Sequence, residues 1–345
     1  MRTSDDHKWA SAFGLALSLG LLTSLGYFNA IQPASAAEFT MKMGVVSAED
    51  AETNYLRLIK EAVEPDSKGR IEGQIFTRGQ LGSQSASIQG LQLGTIEAFI
   101  TPADFYSGID PRMGVLSFPF LFKNRAHANR VLADPVLADK ISSMLDAKGI
   151  VGCGQVATAD VRYMLRSPLN KIADFNGKKM RINGTDAERE RFRRLGVASV
   201  PMNLSDMITG LQNGTIDGSG SGITIWVNFN LETISKELLQ VEDTIIISYC
   251  AMSKKWLDTM PADLRAMVIK NSRAQFEKGV KISDEFVASL TKKWEDRGAK
   301  TIRLSEAEQK EIYQKLSTVG ESVTQGKPEL AAFYKEVKAV SDRIP

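Results

Sequence analysis

The sequence of 345 residues predicts an α/β protein of two similar lobes with a helical C-terminal region. The main observation is a repeat, because residues 88–97 (IQGLQLGTIE) return as residues 208–217 (ITGLQNGTID) with seven of ten positions identical. Each copy has the pattern of a helix end, a glycine cap and an apolar strand start. Such residues are favoured at any helix-to-strand corner, but the match extends through the helix body. Two similar lobes predict a cleft between them, which is where small molecules bind.

Strands and helices alternate in the first half of the chain. Apolar periodicity predicts helices at 49–65 and 83–93, and it predicts strands at 38–46, 70–77 and 95–101. This order is typical of a largely parallel sheet covered by helices. An aromatic segment, Phe118–Phe122, then precedes a polar helix predicted at 125–132. Core packing is the favoured role of this segment, and lining of the cleft wall is the alternative.

The second half repeats the alternation and then becomes helical. Helices are predicted at 185–195 and 205–212, and strands at 160–165, 179–182, 197–201 and 215–218. From Asp258 onward the spacing predicts helices at 261–279, 281–297, 305–319 and 329–340. Ser305 and Glu308 fit a capping box at the start of the third of these helices. No low-complexity linker separates the halves, so we expect ordered strands to join the lobes as a hinge.

Composition and charge are those of a soluble globular protein. The chain has 43% hydrophobic and 24% charged residues, and its formal net charge is +2. Lys and Arg residues are interspersed with Asp and Glu residues. Because no basic stripe is present, we expect no nucleic-acid partner.

The first 36 residues have the pattern of a signal peptide. Arg2 and Lys8 accompany an apolar segment, and Ala34-Ser35-Ala36 is a small-x-small cleavage site. An uncleaved membrane anchor is the alternative, which the Gly and Ser residues within the apolar segment disfavour. We therefore expect an exported, soluble protein cleaved after Ala36.

Two cysteines, Cys153 and Cys250, lie in apolar segments with the pattern of strands. Export permits a disulfide between them. Two buried thiols on neighbouring strands are the alternative, because a sequence does not supply the geometry that a disulfide requires.

Signatures of catalysis and of cofactor or metal binding are nearly absent. His7 falls in the signal peptide, so any Ser-His-Asp or Cys-His arrangement would depend on His127. One histidine and two cysteines do not build the usual zinc sites. The glycine-rich segment 218–222 (GSGSG) has glycine where a nucleophile elbow needs serine, and it lacks the lysine of a phosphate loop. We expect no cofactor, no metal and no enzyme activity, although paired carboxylates of a secreted hydrolase stay open as an alternative.

Arg181 is the strongest candidate for binding a ligand. It lies in a short strand, KMRI, directly before an Asn-Gly turn. A guanidinium grips a carboxylate through two parallel hydrogen bonds, whereas lysine offers only a point charge. A surface salt bridge is the commonest alternative role for an arginine.

Several segments, in order and spacing, resemble one family of transport proteins. They are GQLG (79–82), LQLGTIE (91–97), FPFLF (118–122), DFNGKKMR (174–181), LG (195–196) with VPM (200–202), and LQNGTIDG (211–218). Over residues 38–345 the chain is similar to the solute-binding proteins of tripartite ATP-independent periplasmic (TRAP) transporters, of the DctP type. The resemblance implies the two-lobed periplasmic binding protein fold, with hinge strands and the helical C-terminal region.

The resemblance also implies roles for individual residues. The arginine of the Gly-Lys-x-x-Arg segment, here Arg181, clamps the ligand carboxylate. Arg162 matches an assisting arginine with a one-residue adjustment, and Arg166 is the alternative. The segment that begins at Asp217-Gly218 touches ligand in the family, which points here to Asp217, Ser219, Ser221 and Trp226. Small serines in place of long polar residues favour a bulkier or aromatic acid, with Trp226 or the segment Phe118–Phe122, Phe118 included, as a flat surface.

The implied function is that of a periplasmic receptor without catalysis. It would capture an organic acid between lobe I, residues 38–159 plus about 247–289, and lobe II, residues 160–246 plus about 290–345. It would then deliver the acid to the membrane subunits of a TRAP transporter for uptake. A binding protein of an ATP-driven importer and a secreted hydrolase are the alternatives.

Overall fold

A nine-stranded mixed sheet forms the centre of the computed structural model, which describes residues 36–345. The neighbouring strands follow the order β2-β1-β3-β8-β4-β7-β5-β6, and β9 pairs with β8. The strands are β1 (Phe39–Gly44), β2 (Ile71–Phe76), β3 (Ala98–Pro102), β4 (Ile150–Leu165), β5 (Lys179–Ile182), β6 (Ala198–Pro201), β7 (Gly218–Ser221), β8 (Glu237–Ser253) and β9 (Lys300–Arg303).

Thirteen α-helices cover the sheet within these residues. They are α1 (Ala51–Asp66), α2 (Gln84–Leu93), α3 (Arg125–Leu132), α4 (Pro135–Ser143), α5 (Asp186–Arg194), α6 (Leu204–Asn213), α7 (Ile223–Asn228), α8 (Lys254–Leu257), α9 (Ala262–Arg273), α10 (Phe276–Asp296), α11 (Glu306–Leu316), α12 (Val319–Thr324) and α13 (Pro328–Arg343).

Two long antiparallel strands, β4 and β8, connect the halves of the sheet. β3 pairs with the C-terminal part of β8, and β7 pairs with the C-terminal part of β4. Because the two long strands run in opposite directions, these parts lie at opposite ends of the β4–β8 ribbon. Within each half the short strands are parallel, β1 with β2 and β3 in the first and β5 with β6 and β7 in the second. Ordered strands thus join the halves, as the lack of a linker predicts.

The repeated sequence forms two equivalent corners. In each, the helix ends at a left-handed glycine, Gly94 with φ 78° and Gly214 with φ 79°. The carboxylate at the end of each copy accepts a hydrogen bond from a backbone amide on the neighbouring strand. Glu97 Oε2 accepts from Lys42 N, and Asp217 Oδ2 accepts from Lys179 N, both at 2.8 Å. The predicted similarity of the two corners is confirmed.

Some predicted boundaries are wrong. The strand predicted at 215–218 begins only at Gly218, because Thr215 binds back to Asn213 Oδ1 through its amide and its hydroxyl. The helix predicted to end at Gly279 breaks earlier, before Phe276, and Gly279 lies inside α10. A Cβ atom at Gly279 would lie 2.5 Å from the ring of Tyr55, so glycine is required there by packing.

The capping box predicted at Ser305 and Glu308 is present, and it starts α11. Farther along, α13 packs beside α3. The Nε2 atom of His127 on α3 is 3.0 Å from the carbonyl oxygen of Ser341, and Ser341 Oγ donates to Leu121 O at 2.5 Å. The C-terminal helix therefore contacts segments predicted for lobe I, and the lobe bounds stay a prediction.

A disulfide joins the two long strands. The Sγ atoms of Cys153 on β4 and Cys250 on β8 are bonded, and both residues are fully buried. They lie in a core cluster with Tyr55, Val156 and Met252. Of the two alternatives that the sequence left open, the structure has the disulfide.

The predicted signal peptide and most of its cleavage site lie outside the described residues. Within residues 36–345, no helix combines the length and the apolar character needed to cross a bilayer.

Candidate functional site

A cleft lies between the two halves of the sheet and contains about 1070 Å³ of space not occupied by atoms, part of it open to solvent. The first half lines it with the start of α1 and with the segment Thr101–Phe105, which begins at the end of β3. The second half lines it with parts of β5, α5 and the turn from β7 to α7. The two long strands complete the lining with residues near Thr158 on β4 and Ile245 on β8. The cleft thus lies where the repeat predicts it.

Contacts between the two halves surround the cleft. Asn183 Nδ2, after β5, donates to Asp104 Oδ2, after β3, at 2.9 Å. Asn228 Nδ2, at the end of α7, donates to the carbonyl oxygen of Ala48 at 2.5 Å. The structure therefore shows the two halves in contact across the cleft.

Arg181 lines this cleft from β5. Its side chain is buried, and its Nε donates to the carbonyl oxygen of Met202 at 2.9 Å. The guanidinium carbon lies 5.7 Å from the centre of the Phe105 ring. Burial lowers the pKa of Arg181, and the carboxyls of Glu188 and Asp104 oppose that effect. Its terminal amino groups make no hydrogen bond to the described residues, so the forked end can bind a carboxylate.

A second arginine, Arg191, lines the cleft from α5. Its Nη1 donates to Thr244 Oγ1 at 2.8 Å and to Asp243 Oδ2 at 3.3 Å, while its Nε has no partner among the described residues. The guanidinium carbon also lies 5.5 Å from the Tyr163 ring centre. The sequence does not distinguish Arg191 from its neighbours, because most residues of α5 are charged. Its only signal is the helical spacing, which places it one turn after the buried Ala187.

Four carboxyl groups line the same cleft, and each accepts hydrogen bonds from the protein. Asp50 caps α1 by accepting from the amide and the hydroxyl of Thr53. Glu188 accepts from the amides of residues 183–185. Asp104 accepts from Asn183, and burial together with Glu188 raises the pKa of Asp104 to about 6. The fourth is Glu52, whose pKa is raised to about 8 by burial and by Asp50.

The structure places Arg162 outside the cleft. Side chains alternate between the two faces of a strand, and Val161 lines the cleft, so Arg162 points to the opposite face. There it donates to Thr291 Oγ1 on α10 at 2.9 Å and to Thr301 Oγ1 on β9 at 3.4 Å. The alternative, Arg166, is exposed and does not line the cleft either. The cleft arginines are therefore Arg181 and Arg191.

The segment after Asp217 is only partly at the cleft. Ser221 lines it, whereas Ser219 is fully buried and donates to the carbonyl oxygen of Gly220. Trp226 is fully buried behind the cleft wall, and its Nε1 donates to Ser221 O at 3.2 Å. Asp217 is used in the corner with Lys179 and does not line the cleft.

Phe118 packs in the core, which is the role that its sequence favours. Its ring lies 5.2 Å from the ring of Tyr334 on α13, and it does not line the cleft. It borders a neighbouring cavity that also touches Asn183 and Met202. Trp226 and the segment Phe118–Phe122, the two flat surfaces expected for the ligand, are thus both outside the cleft.

No group of three or more His, Cys, Asp or Glu side chains within residues 36–345 is arranged to hold a metal ion.

Comparison with protein families identifies the chain. The family model DctP, described as bacterial extracellular solute-binding protein, family 7, matches residues 43–327. The chain belongs to this family. This DctP-family chain is 28% identical over 231 residues to a solute-binding protein of Verminephrobacter eiseniae, covering 66% of this chain and 68% of the relative. It is 24% identical over 298 residues to the 2,3-diketo-L-gulonate-binding periplasmic protein YiaO of Escherichia coli, covering 85% and 83%.

Solved structures share the fold of this DctP-family protein. A TRAP periplasmic solute-binding protein of Xanthobacter autotrophicus with bound β-D-galacturonate superposes with a TM-score of 0.80 at 23% identity, covering 87% of this chain and 99% of that one. A TRAP periplasmic solute-binding protein of Haemophilus influenzae with bound L-gulonate superposes with a TM-score of 0.82 at 21% identity, covering 88% of this chain and 99% of that one. A sugar acid binding protein of Advenella mimigardefordensis in complex with galactonate gives 0.83 at 21% identity, covering 89% and 99%. The predicted two-lobed fold and the predicted DctP type are confirmed.

Proposed function

We propose that this protein is the periplasmic receptor of a TRAP transporter and that it binds a sugar acid in the cleft, with the carboxylate on Arg181. The observation that supports this most directly is the setting of Arg181. Its Nε is fixed to Met202 O, it is buried, and its terminal amino groups are left without a partner among residues 36–345. A buried guanidinium is stabilised by an anion, and two parallel hydrogen bonds make a carboxylate the best-matched anion.

The rest of the lining fits the hydroxyl groups of a sugar acid. Hydroxyl and carboxyl side chains from both halves, such as Thr101, Thr158, Thr224, Asp104 and Glu52, supply donors and acceptors around the cleft. Sugar acids are also the ligands in the solved relatives. The sequence favours a bulkier or aromatic acid that would stack on Trp226 or Phe118. Both side chains lie outside the cleft, so we propose a sugar acid instead.

Ligand binding is coupled to closure in this proposal. The ligand enters an open cleft and binds both halves, which shifts the equilibrium towards the closed arrangement. The contacts Asn183–Asp104 and Asn228–Ala48 form only when the halves meet, so they add to the stability of the closed form. The closed receptor then docks on the membrane subunits, without chemical change of the ligand. In this proposal the chain is exported and cleaved after Ala36, and the mature receptor acts in the periplasm.

Calorimetric titration tests this function. The mature chain is titrated with D-glucuronate, D-galacturonate, L-gulonate and D-galactonate, and the solution is checked for turnover. Arg181→Ala should weaken binding by about 2–5 kcal/mol, and Arg181→Lys should restore only part of it because the fork is lost. Arg193→Ala is the matched control, since Arg193 is exposed on α5 and pairs with Glu190. Unchanged affinity in Arg181→Ala would refute the clamp, and conversion of the ligand would favour the hydrolase.

A further inference from the structure

We propose that Glu52, together with Ser47 and Ser248, forms the subsite that receives the hydroxyl-bearing end of the ligand, on the wall opposite Arg181. This inference rests on the proposed function and extends it to the second end of the sugar acid. It assigns to Glu52 the discrimination between a long polyhydroxylated acid and a short acid that offers only a carboxylate.

The geometry of Glu52 supports this role. Glu52 lies in the first turn of α1 and lines the cleft. Ser47 Oγ donates to its Oε2 at 3.1 Å, and Ser248 Oγ on β8 donates to its Oε1 at 2.6 Å. Thr158 Oγ1 on β4 lies 2.9 Å from Ser248 Oγ and continues the chain of hydroxyls. Each carboxyl oxygen has a second lone-pair site, so both can still accept from a ligand.

Glu52 differs from the other carboxyls of the cleft in its partners. Asp50 and Glu188 are held by backbone amides, and Asp104 is held by the amide group of Asn183. The partners of Glu52 are two serine hydroxyls, and no cation of the described residues lies within 4.0 Å of it. Hydroxyl protons rotate at little energetic expense, so this group adapts to an incoming hydroxyl more easily than a carboxyl fixed by amides.

The electrostatics favour a neutral polar group over a cation at this wall. Burial and the nearby Asp50 raise the pKa of Glu52 to about 8, which favours the protonated carboxyl before ligand enters. A protonated carboxyl donates one hydrogen bond and accepts others, as a sugar hydroxyl does. An ammonium group would instead require the ionised form. The two ends of the cleft thus match the two ends of a sugar acid, an arginine for the carboxylate and a neutral hydroxyl cluster for the polyol.

The test compares long and short acids on matched variants. The probes are D-galactonate and D-glucuronate as long acids, and glycolate as a short acid measured by competition. Glu52→Ala should weaken the binding of each long acid that the wild type binds by about 10-fold to 100-fold, and of glycolate by less than about 3-fold. Glu52→Gln should stay within about 5-fold of wild type, because an amide also donates and accepts. Glu61→Ala, at an exposed position of the same helix, is the control.

The possible results distinguish failure of the proposed function from failure of the Glu52 subsite alone. If the wild type binds none of the acids, the proposed function falls and this inference falls with it. If the wild type binds them but Glu52→Ala weakens long and short acids equally or not at all, only the subsite is refuted. Tighter binding of 6-amino-6-deoxy-D-galactonate than of D-galactonate would also refute it, because an ammonium would then be the preferred group. Thermal unfolding of the free variants shows whether each is folded. If Glu52→Ala is not, Ser47→Ala decides the question, because Ser47 lines the cleft and donates to Glu52, and its removal should weaken long acids more than glycolate.

Discussion

Arg191 and Asp243 form a buried ion pair directly behind the cleft, with Nη1 and Oδ2 3.3 Å apart. Arg191 belongs to α5 and lines the cleft, whereas Asp243 belongs to the long strand β8. The pairing of β8 with β4 is interrupted around Asp243. Gln240 pairs with Arg162 and Ile245 pairs with Asp160, so the segment of β8 between these pairs is longer than the matching segment of β4. The ion pair therefore connects α5, in the cleft wall, to an irregular part of β8, one of the two strands that join the halves.

Removing one member of this pair should destabilise the protein. Arg191→Met leaves the Asp243 carboxylate buried without its cation, so the free energy of unfolding should fall by about 3–5 kcal/mol. The double variant Arg191→Met with Asp243→Leu should lose clearly less than the sum of the single losses, because neither charge is then left alone. Chemical denaturation measures both, with Arg193→Ala as a surface control expected within about 0.5 kcal/mol of wild type. Additive losses would show that the two charges do not act as a pair.

The sequence predicts those parts of the fold that depend on local signals. The glycine caps Gly94 and Gly214 and the capping box at Ser305 mark helix ends within a few residues, and the structure has the ends there. The strand predicted at 179–182 is observed with the same bounds as β5, and it too depends on local signals. The wrong helix boundary at Gly279 involves a contact distant in sequence, that of Gly279 with Tyr55.

The site could be predicted only in part, because the sequence does not show which face of an element is turned to the cleft. Arg181 is in the cleft, where the family motif implies it. Arg162 is turned away, since a shift of one position along a strand moves a side chain to the other face. Arg191 and Glu52 are brought to the cleft by helices whose packing the sequence does not specify. Charged residues on helices are mostly exposed to solvent, and only the fold shows that Arg191 is buried and Glu52 partly buried.

Loss of the disulfide should reduce stability and leave binding intact. Cys153 and Cys250 are 97 positions apart, so their bond restricts the unfolded chain strongly. The double variant Cys153→Ala with Cys250→Ala should lose about 2–5 kcal/mol of unfolding free energy, measured by denaturant titration. Ligand affinity should change by less than about 3-fold, because neither residue lines the cleft. A variant as stable as wild type would show that the bond contributes nothing to stability.

Asp217 should act in stability and not in ligand binding. Its carboxylate accepts from Lys179 N, as that of Glu97 accepts from Lys42 N. Asp217→Ala leaves that amide without its partner, so we expect a loss of about 1–3 kcal/mol of unfolding free energy, and a similar loss for Glu97→Ala. The affinity for a sugar acid should stay within about 3-fold of wild type in both variants, measured by calorimetry. A selective loss of affinity in Asp217→Ala would restore the role in ligand contact that the family resemblance implies.

The stability of the free protein should fall as the pH rises from about 5 to about 8, with Glu52 as a main contributor. Burial and Asp50 raise the pKa of Glu52 from 4.5 to about 8 in the folded protein. In this window the folded state holds a proton that the unfolded state has released, so each step to higher pH favours unfolding. The titratable groups near Glu52 are Asp50, whose pKa is also raised by burial, and Tyr106, whose pKa lies well above this window.

Glu52→Gln isolates this contribution, because glutamine keeps the hydrogen bonds and does not titrate. Thermal unfolding between pH 5 and pH 8 should show a smaller decline for Glu52→Gln than for wild type, whereas the exposed Glu61→Gln should follow the wild-type curve. The contribution is fully present below pH 4.5 and is lost as the pH rises through about 8. Parallel curves for Glu52→Gln and wild type would mean that Glu52 is ionised at neutral pH, and the wall opposite Arg181 would then be anionic and suited to a cation.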